Sequence, residues 1–405
     1  MITRTTRLGL LAATLAIVAS ACSGSATPTP AAPSVAPSVA APSVAPSVAA
    51  PSVAASPSPD AASPSPAAST SAGANLKIGV VTDIGRVNDK GFNQFSYKGA
   101  QDGAAAIGAA NPPVVVPKDQ SEYAADIQGF VGQSFDIIVT VGFNLANATQ
   151  DAALANPKIN FIGVDQSACV DATGKVDPTF GCKGDAKALL PNYHPFVFKE
   201  DQAGYLAGIV AGSATKTKII GAIGGTTLCA ACVRYIQGYE LGAKSVDPSI
   251  VVKFAYVTHD FSNAAFGDPV GGKSFAQNFI KANKPDVLFA VAGATGNGAL
   301  DAACAANIYA VGVDVDQHET YPNAAKCIIT SAMKNTGPGV SDWIQAIANG
   351  KAGADVYDAT NSGVAAAPVT NVTLPDVQAK LDAAVAAMKA GTLKTCPDTG
   401  CGVAK

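Results

Sequence analysis

The chain has 405 residues, of which 14% are charged and 48% are hydrophobic, and its formal net charge is −3. Its four arginines, at positions 4, 7, 86 and 234, are spread along the chain, so no basic patch of the kind that binds nucleic acid is indicated. We therefore expect a globular protein with no nucleic-acid partner.

Residues 1–21 have the pattern of an export signal. Arg4 and Arg7 form a positive segment, residues 8–18 are apolar, and three small residues precede Cys22. This order resembles a bacterial lipoprotein signal, which predicts an exported protein whose Cys22 is lipidated and anchored to the outer face of the cell membrane. A plain secretory signal cut nearby is the alternative. A transmembrane helix is disfavoured, because an apolar run of about 11 to 14 residues is too short to span a bilayer.

Residues 22–75 are predicted to form a disordered tether rich in Pro, Ala and Ser. The tetrapeptide PSVA occurs five times, and Asp60 is the only charge between Arg7 and Lys77. Such a segment has no aromatic or large aliphatic side chains to bury, so it cannot offset the entropy that it would lose on ordering. We expect a proline-stiffened spacer that lifts a globular domain away from a membrane.

From residue 76 onward, short apolar runs alternate with amphipathic, alanine-rich stretches. This alternation predicts an α/β fold built from βαβ units, with parallel sheets flanked by helices. The predicted strands are 76–83, 113–117, 136–142, 159–165, 218–224, 250–257, 286–292, 308–314 and 327–332. The predicted helices are 92–110, 123–133, 145–155, 201–213, 232–245, 273–283, 297–306, 338–349 and 376–390.

The globular part is too long for one core. About 330 residues exceed what a single hydrophobic core supports, so two lobes are expected. We expect the first lobe to comprise residues 76–198 with parts of 316–360, and the second to comprise 199–315 with parts of 361–405.

The most informative stretch is 77–99, which predicts a strand, a polar loop and a helix. Its apolar run ends at Asp83, and the helical pattern begins at Phe92. In open α/β sheets, ligands bind beyond the carboxyl ends of the strands, so Asp83, Phe92 and Asn93 are expected to face one crevice. The alternative is structural, with Asp83 capping a turn and Phe92 packed in the core.

Two further carboxylates end predicted strands in the same phrase, Ile-Gly-Val-Asp at Asp165 and Val-Gly-Val-Asp at Asp314. Each is expected to emerge at the carboxyl edge of its sheet, one from each lobe, facing the cleft between them. Asp314 capping the following loop is the alternative.

Nine cysteines are present, and eight remain once Cys22 is set aside. An even number in an exported chain favours disulfides, although eight cysteines allow 105 pairings. Pairing sequence neighbours gives Cys169–Cys182, Cys229–Cys232, Cys304–Cys327 and Cys396–Cys401. The CxxC pair at 229–232 is alternatively a redox pair or half of a zinc site, but it has no nearby histidine and no second CxxC with zinc-finger spacing.

Enzyme motifs are nearly absent from the sequence. The three histidines form no HExxH, and there is no GxSxG. Residues 267–274 match the phosphate-loop pattern GxxxxGK[ST], but Pro269 removes an N–H donor that such a loop needs. The sequence therefore predicts no enzymatic activity, no cofactor and no metal, with a secreted nucleotide-handling enzyme as a remote alternative.

The stretch GVVTDIGRVNDKGFNQFSYKG resembles the opening signature of the basic membrane protein family of ABC-transporter solute-binding lipoproteins, which includes purine nucleoside receptors of the PnrA type. Further blocks resemble the family in the same order, at 141–143, 162–165, 199–208, 233–240, 266–273, 292–293, 311–314, 316–317 and 331–334. The resemblance spans nearly all of residues 76–390.

The resemblance implies a two-lobed type I periplasmic-binding fold, each lobe a parallel sheet flanked by helices. It also implies a monomeric receptor that closes on a nucleoside and delivers it to an ABC permease. The implied roles are a nucleobase edge held by Asp83, Asn93 and Asp165, base stacking by Phe92 and Phe266, and a ribose bordered by Gly293, Asp314 and Lys334. Phe261 is an alternative to Phe266, and the same fold binding a sugar or acting as a sensor is an alternative function.

Several residues depart from the family pattern. Arg86 replaces a small residue, Asn88 an acid and Gly91 a serine in the opening block. The segment before Arg234 is longer than usual and carries cysteines in place of a short proline-containing turn. These departures leave the expected fold intact and open the question of which ligand is bound.

Overall fold

The computed structural model describes residues 73–177, 179 and 181–404. The export signal, Cys22 and the tether up to residue 72 lie outside the described residues. Residues 73–75, the predicted end of the tether, form a turn in which the Leu76 N–H donates to the Gly73 carbonyl at 3.0 Å. No helix in the described part of the chain is long and apolar enough to cross a bilayer.

The strands form two six-stranded sheets. The first follows the order β11-β5-β4-β3-β1-β2 and the second β12-β10-β9-β8-β6-β7. Every pairing is parallel except that of β10 with β12. The strand bounds are β1 Ile78–Val81, β2 Val114–Val115, β3 Ile137–Val141, β4 Asn160–Val164, β5 Tyr193–Phe198, β6 Ile219–Thr226, β7 Val251–Thr258, β8 Val287–Val291, β9 Tyr309–Asp314, β10 Ile328–Lys334, β11 Val356–Tyr357 and β12 Val364–Ala366.

Helices cover both faces of the sheets, and every long helix predicted from the sequence is present. Three helices differ most from their predicted bounds: α8 begins at Pro269 rather than 273, α9 begins at Gly293 rather than 297, and α1 ends at Ala106 rather than 110. The helix bounds are α1 Phe92–Ala106, α2 Tyr123–Gly132, α3 Ala146–Ala155, α4 Ala186–Leu189, α5 Glu200–Ala214, α6 Ala230–Val246, α7 Asn263–Phe266, α8 Pro269–Asn283, α9 Gly293–Ala305, α10 Gln317–Thr320, α11 Thr336–Ala348 and α12 Val377–Lys389.

The nine predicted strands are also present, and the structure adds β5, β11 and β12. Pro195 hid β5, because proline is rare inside a strand. The N–H groups of Val197 and Lys199 donate to the carbonyls of Asp355 and Tyr357. The Pro195 nitrogen faces the same neighbouring strand as the N–H groups of Val197 and Lys199. The two-residue β11 does not extend as far as Pro195, so the missing N–H of Pro195 leaves no carbonyl unsatisfied.

The chain passes between the lobes three times in the described residues, after Phe198, at Asn335 and over residues 358–363. After the first passage, α5 packs on α6 in the second lobe, and after the second, α11 packs on α1 in the first. Within residues 316–360, therefore, β10 belongs to the second lobe, whereas α11 and β11 belong to the first. These passages place the carboxyl ends of both sheets next to each other.

The central strands explain why the apolar runs were so clear in the sequence. Every residue of β1, β3 and β8 is buried. Parallel strands covered by helices on both faces need continuous rather than alternating apolar residues. Their polar neighbours therefore lie just beyond the strand ends, where the cleft begins.

Candidate ligand-binding site

A cavity lies between the carboxyl edges of the two sheets. It encloses about 680 Å³ between the surrounding atoms, counted out to its open mouth, which is in the range of small-molecule sites. The structure brings all eight sequence-predicted site residues to its wall, namely Asp83, Phe92, Asn93, Asp165, Phe266, Gly293, Asp314 and Lys334. Both lobes contribute to this set.

Asp165 and Asp314 occupy equivalent places in the two lobes. Each comes directly at the end of a buried strand, β4 or β9, and each has a positive φ, 57° and 67° respectively. Asp adopts this left-handed conformation more readily than most residues. The repeated Gly-Val-Asp phrase therefore gives the same local turn twice and aims both carboxylates into the cleft.

Lys334, at the end of β10, joins the two carboxylates. Its side chain is 4% exposed, and its Nζ pairs with Asp165, lies 3.6 Å from Glu200 Oε1 and lies 3.9 Å from Asp314 Oδ1. Glu200 is fully buried and also accepts from Arg234 Nε at 2.7 Å. These side chains connect the two passages of the chain at Phe198 and Asn335.

Burial sets the charge balance of this cluster. It raises the pKa of Asp165 and of Asp314 to about 6, with Lys334 acting in the opposite direction on both. Burial also opposes the charged form of Lys334, but Asp165, Asp314 and Glu200 together raise its pKa above the usual range. The lysine therefore stays charged, and the carboxylates pay the desolvation penalty.

The Asp83 side chain is positioned by hydrogen bonds from residues of its own lobe, the first. It accepts from the Tyr123 hydroxyl, from the Ile84 N–H at 2.7 Å and from Asn144 Nδ2 at 3.3 Å. Burial raises the pKa of Asp83 to about 6. A carboxylate has about four acceptor positions, so Asp83 retains capacity for a ligand donor.

Two buried acceptors in the cavity wall have no hydrogen-bond partner among the described residues. They are Asn93 Oδ1 and Asp165 Oδ1, on side chains that are 6% and 7% exposed. Buried polar atoms are almost always paired, so such atoms in a cavity mark where a ligand donates. One comes from the loop after β1 and the other from the end of β4.

The aromatic walls come from Phe92 and Phe266. Lys334 Nζ lies 4.6 Å from the centroid of the Phe92 ring, which leaves the opposite ring face for a stacking ligand. Phe266 lines the cavity beside Gly293. Glycine is favoured there because φ is 52° and a Cβ at this position would lie 3.2 Å from the Phe266 carbonyl oxygen. Phe261 packs instead against Phe143, with ring centroids 5.4 Å apart.

Contacts across the cleft show that the two lobes are closed. Asn297 Nδ2 on α9 donates to the Asp89 carbonyl at 2.8 Å, and the Thr320 hydroxyl donates to the Lys90 carbonyl at 3.2 Å. The Phe143–Phe261 ring contact joins the same two lobes. The loop between β1 and α1, which belongs to the first lobe, thus contacts the second lobe directly.

The phosphate-loop match at 267–274 has a different role in the structure. Asp268 is the N-cap of α8, and its Oδ1 accepts from the Gly271 N–H at 2.9 Å. A carboxylate thus occupies the helix end where a phosphate would bind, and like charges repel there. The structure gives no support to the nucleotide-handling alternative at this segment.

Sequence reasoning missed several residues that build the site. Glu200 and Tyr235, whose hydroxyl donates to Asp314 Oδ1 at 3.2 Å, lie within blocks used for the resemblance but were given no role. Asp89 lies in the same loop as Asp83 and accepts from the N–H groups of Gly91, Asn93 and Gln94, a pattern that no sequence signal revealed.

The described cysteines form four disulfides, Cys169–Cys182, Cys229–Cys232, Cys304–Cys327 and Cys396–Cys401. Cys229 and Cys232 also line the cavity, which the spacing alone did not indicate.

Solved structures share this two-lobed architecture. An ABC transporter system solute-binding protein from Aeropyrum pernix K1 superposes with a TM-score of 0.65 at 19% identity, over 80% of this chain and 94% of that chain. An ABC transporter periplasmic solute binding protein from Actinobacillus succinogenes 130z, with bound D-allose, superposes with a TM-score of 0.51 at 14% identity, over 75% of this chain and 100% of that chain. The fold is therefore the two-lobed type I periplasmic-binding fold.

Sequence comparison gives the family. The chain is 30% identical over 310 residues to the ABC transporter nucleoside-binding protein BmpA of Lactococcus lactis subsp. cremoris (strain MG1363). The alignment covers 72% of this chain and 81% of BmpA. The profile of the Bmp family, described as ABC transporter substrate-binding protein PnrA-like, matches residues 76–386. These relatives are substrate-binding proteins and not enzymes, and the chain belongs to the Bmp family of PnrA-like ABC-transporter substrate-binding proteins.

Proposed function

We propose that this protein captures a purine nucleoside by closure of its two lobes and delivers it to an ABC permease. The observation that carries the proposal is that Phe92 and Phe266 line one cavity together with Asp83, Asn93 and Asp314. Aromatic faces suit a flat base, and acceptors suit its edge and the ribose hydroxyls. The name of the Lactococcus relative, a nucleoside-binding protein, supports the same ligand class.

The charge of the cavity favours a neutral ligand over a phosphorylated one. Its wall carries four acidic side chains, Asp83, Asp89, Asp165 and Asp314, and two basic ones, Arg86 and Lys334. A phosphate brought among these carboxylates would be repelled in a region of low dielectric constant. A nucleoside instead offers hydroxyl and N–H donors to them.

Ligand binding would favour the closed arrangement because the ligand contacts both lobes. The first lobe would contribute Asn93 and Phe92 and the second Asp314 and Phe266. A ligand that binds the closed form more tightly than the open form shifts the equilibrium between them.

We further propose that the receptor acts outside the cell as a monomer, held to the membrane by lipid on Cys22. The basis is the signal-like pattern of residues 1–21 and the proline-rich spacer that follows. The spacer would let the two lobes reach a permease in the same membrane.

Isothermal titration calorimetry tests the ligand class. The chain from residue 22, with Cys22→Ser to prevent lipidation, would be titrated with adenosine, guanosine, inosine, uridine, adenosine monophosphate and D-ribose. We expect binding of at least one purine nucleoside and at least a hundredfold weaker binding of the monophosphate. Heat with D-ribose and none with any nucleoside would contradict the proposal and favour a sugar receptor.

A further inference from the structure

The disulfide between Cys229 and Cys232 lies in the wall of the ligand cavity. The two residues are 3% and 5% exposed and line the cavity together with Ala231. Among the described residues, the other six cysteines do not contribute to the cavity wall. This disulfide is buried and lies next to the space that a ligand would occupy, so its effect extends from the stability of the fold to the shape of the cavity.

We propose that this disulfide is part of the ligand-binding surface and that its reduction weakens ligand binding. The affinity of the receptor would then depend on the redox state of Cys229 and Cys232. The identity of the ligand in this inference rests on the proposed function, whereas the place of the disulfide in the cavity wall does not.

Reduction must change the shape of the wall. Bonded sulfur atoms lie about 2.05 Å apart, whereas non-bonded heavy atoms of this size need about 3.5 to 4 Å. The two sulfur atoms therefore have to separate by about 1.5 to 2 Å. Because both cysteines are almost fully buried, this movement displaces a sulfur into the cavity or shifts the first turn of α6.

The first turn of α6 also supports the site. Cys229 is the N-cap of this helix, and its Sγ accepts from the Cys232 N–H at 3.1 Å. The next residues along the helix reach the ion-pair cluster, Arg234 through Glu200 and Tyr235 through Asp314. A shift of this turn would therefore be transmitted to Glu200 and Asp314, and through Lys334 to Asp165 of the first lobe.

The redox step is an ordinary exchange with an external dithiol. The dithiol gives two electrons and two protons to the Cys229–Cys232 bond, which breaks into two thiols, and the dithiol itself becomes a disulfide. Cys229 lies at the N-terminus of a long helix, where partial positive charge favours the thiolate that leaves. A ligand in the cavity would cover the pair and block this exchange.

Ligand and redox state are then linked in both directions. If reduction weakens ligand binding by a given factor, saturating ligand makes the pair harder to reduce by the same factor. The inference thus predicts two linked outcomes, a lower ligand affinity of the reduced protein and a lower reducibility of the ligand-bound protein.

The first measurement compares affinities by calorimetry in the Cys22→Ser chain. The variant carries Cys229→Ser and Cys232→Ser, and the matched control carries Cys304→Ser and Cys327→Ser, a disulfide outside the cavity wall. We expect affinity for the best-binding purine nucleoside to fall at least tenfold in the variant and to change less than twofold in the control. Circular dichroism checks that both fold.

The second measurement needs no substitution. The oxidised protein would be treated with dithiothreitol with and without saturating nucleoside, and free thiols would be alkylated and mapped by mass spectrometry. We expect the ligand to slow reduction of Cys229–Cys232 at least fivefold and to leave Cys304–Cys327 unaffected.

Equal affinities in variant and control, or equal reduction rates with and without ligand, would overturn the inference. Failure of the proposed function has a different signature. If only D-ribose binds, the nucleoside assignment is wrong, and the same two measurements with D-ribose decide the role of the disulfide.

Discussion

Lys334 shows at the scale of one residue why this cavity suits a neutral ligand. The buried cluster contains three carboxylates, Asp165, Glu200 and Asp314, and two cations, Lys334 and Arg234. One negative charge therefore remains uncompensated by a cation. Buried charge is costly unless it is paired or hydrogen-bonded, so ligand hydroxyl or N–H donors would complete the cluster.

Asp314→Asn tests whether the ribose is held at this cluster. The amide keeps the shape and can still accept from Tyr235, but it removes the charged acceptor facing the cavity. Hydrogen bonds to charged groups contribute about 1.5 to 3 kcal/mol, so we expect nucleoside affinity to fall at least tenfold. Calorimetry measures the effect, with the exposed Asp382→Asn on α12 as the control. Unchanged affinity would mean that Asp314 does not contact the ligand.

Asp83→Asn tests one of the buried carboxylates of the first lobe through pH. Burial raises the pKa of Asp83 from 3.8 to about 6, so between these values the folded protein binds more protons than the unfolded chain. The free energy of unfolding of the wild type should therefore fall, relative to the variant, as pH rises from about 4 to 6, by up to ~3 kcal/mol, and level off above that. Urea unfolding at a series of pH values measures this difference. A pH-independent difference would show that Asp83 titrates normally.

At the scale of elements, α5 and α6 pack closely against each other in the second lobe. A Cβ on Gly238 would lie 2.0 Å from the Asp201 carbonyl oxygen, which is backbone and cannot rotate away. Gly238→Ala should therefore push the helices apart and lower the free energy of unfolding by about 1 to 3 kcal/mol. Urea unfolding at neutral pH measures the change.

The matched control is Gly129→Ala on α2, where an added Cβ would meet nothing within 4 Å. There the better helix propensity of alanine should raise stability by about 0.5 to 1 kcal/mol. Equal effects at the two positions would show that α5 and α6 can separate without cost.

Elements were predictable from the sequence where one physical signal dominated. The strands buried on both faces are continuous apolar runs, and the long helices have amphipathic patterns, so both were found. β11 and β12 are only two and three residues long, too short for any period to emerge. Their pairing is decided by tertiary context, which local patterns do not contain.

The site was predictable to the extent that it depends on strand ends. Asp83, Asp165 and Asp314 follow buried strands, and this placement alone points them to the cleft. Glu200 was missed because a charged residue at a helix start is normally solvated, and only the fold reveals that it is fully buried. The cavity-facing role of Cys229–Cys232 depends on where α6 begins relative to the other lobe.

At the scale of the whole molecule, the three passages of the chain connect the two lobes, and a separate set of contacts holds the cleft between them closed. The three passages keep the lobes connected at one side of the cavity, near Lys334. The contacts of Asn297, Thr320 and Phe261 with the first lobe close the other side. A hinge consists of a few residues at the ends of elements, as the three passages do, and the contacts across the cleft can then form and break as the lobes close and open.

Asn297→Ala should destabilise the closed form relative to the open form. Asn297 Nδ2 donates to the Asp89 carbonyl across the cleft, and its Oδ1 accepts from Gln317 Nε2 at 2.9 Å. In the closed form the alanine variant leaves the Asp89 carbonyl without its partner in a buried place, whereas in the open form water satisfies it. Gln317 lies in the same lobe as Asn297, so the loss of its hydrogen bond is common to both forms. A buried group left unpaired costs about 1 to 3 kcal/mol, so bound nucleoside should dissociate roughly 5 to 150 times faster.

Stopped-flow measurement of nucleoside dissociation checks this expectation, and the association rate should change much less because ligand enters the open form. Asn283→Ala is the matched control, since Asn283 Nδ2 donates only to the Phe279 carbonyl within α8. Faster dissociation in the Asn297 variant alone would place the rate-limiting step at the opening of this contact. The same rate in both variants would show that the contact between Asn297 and the Asp89 carbonyl does not restrain the ligand.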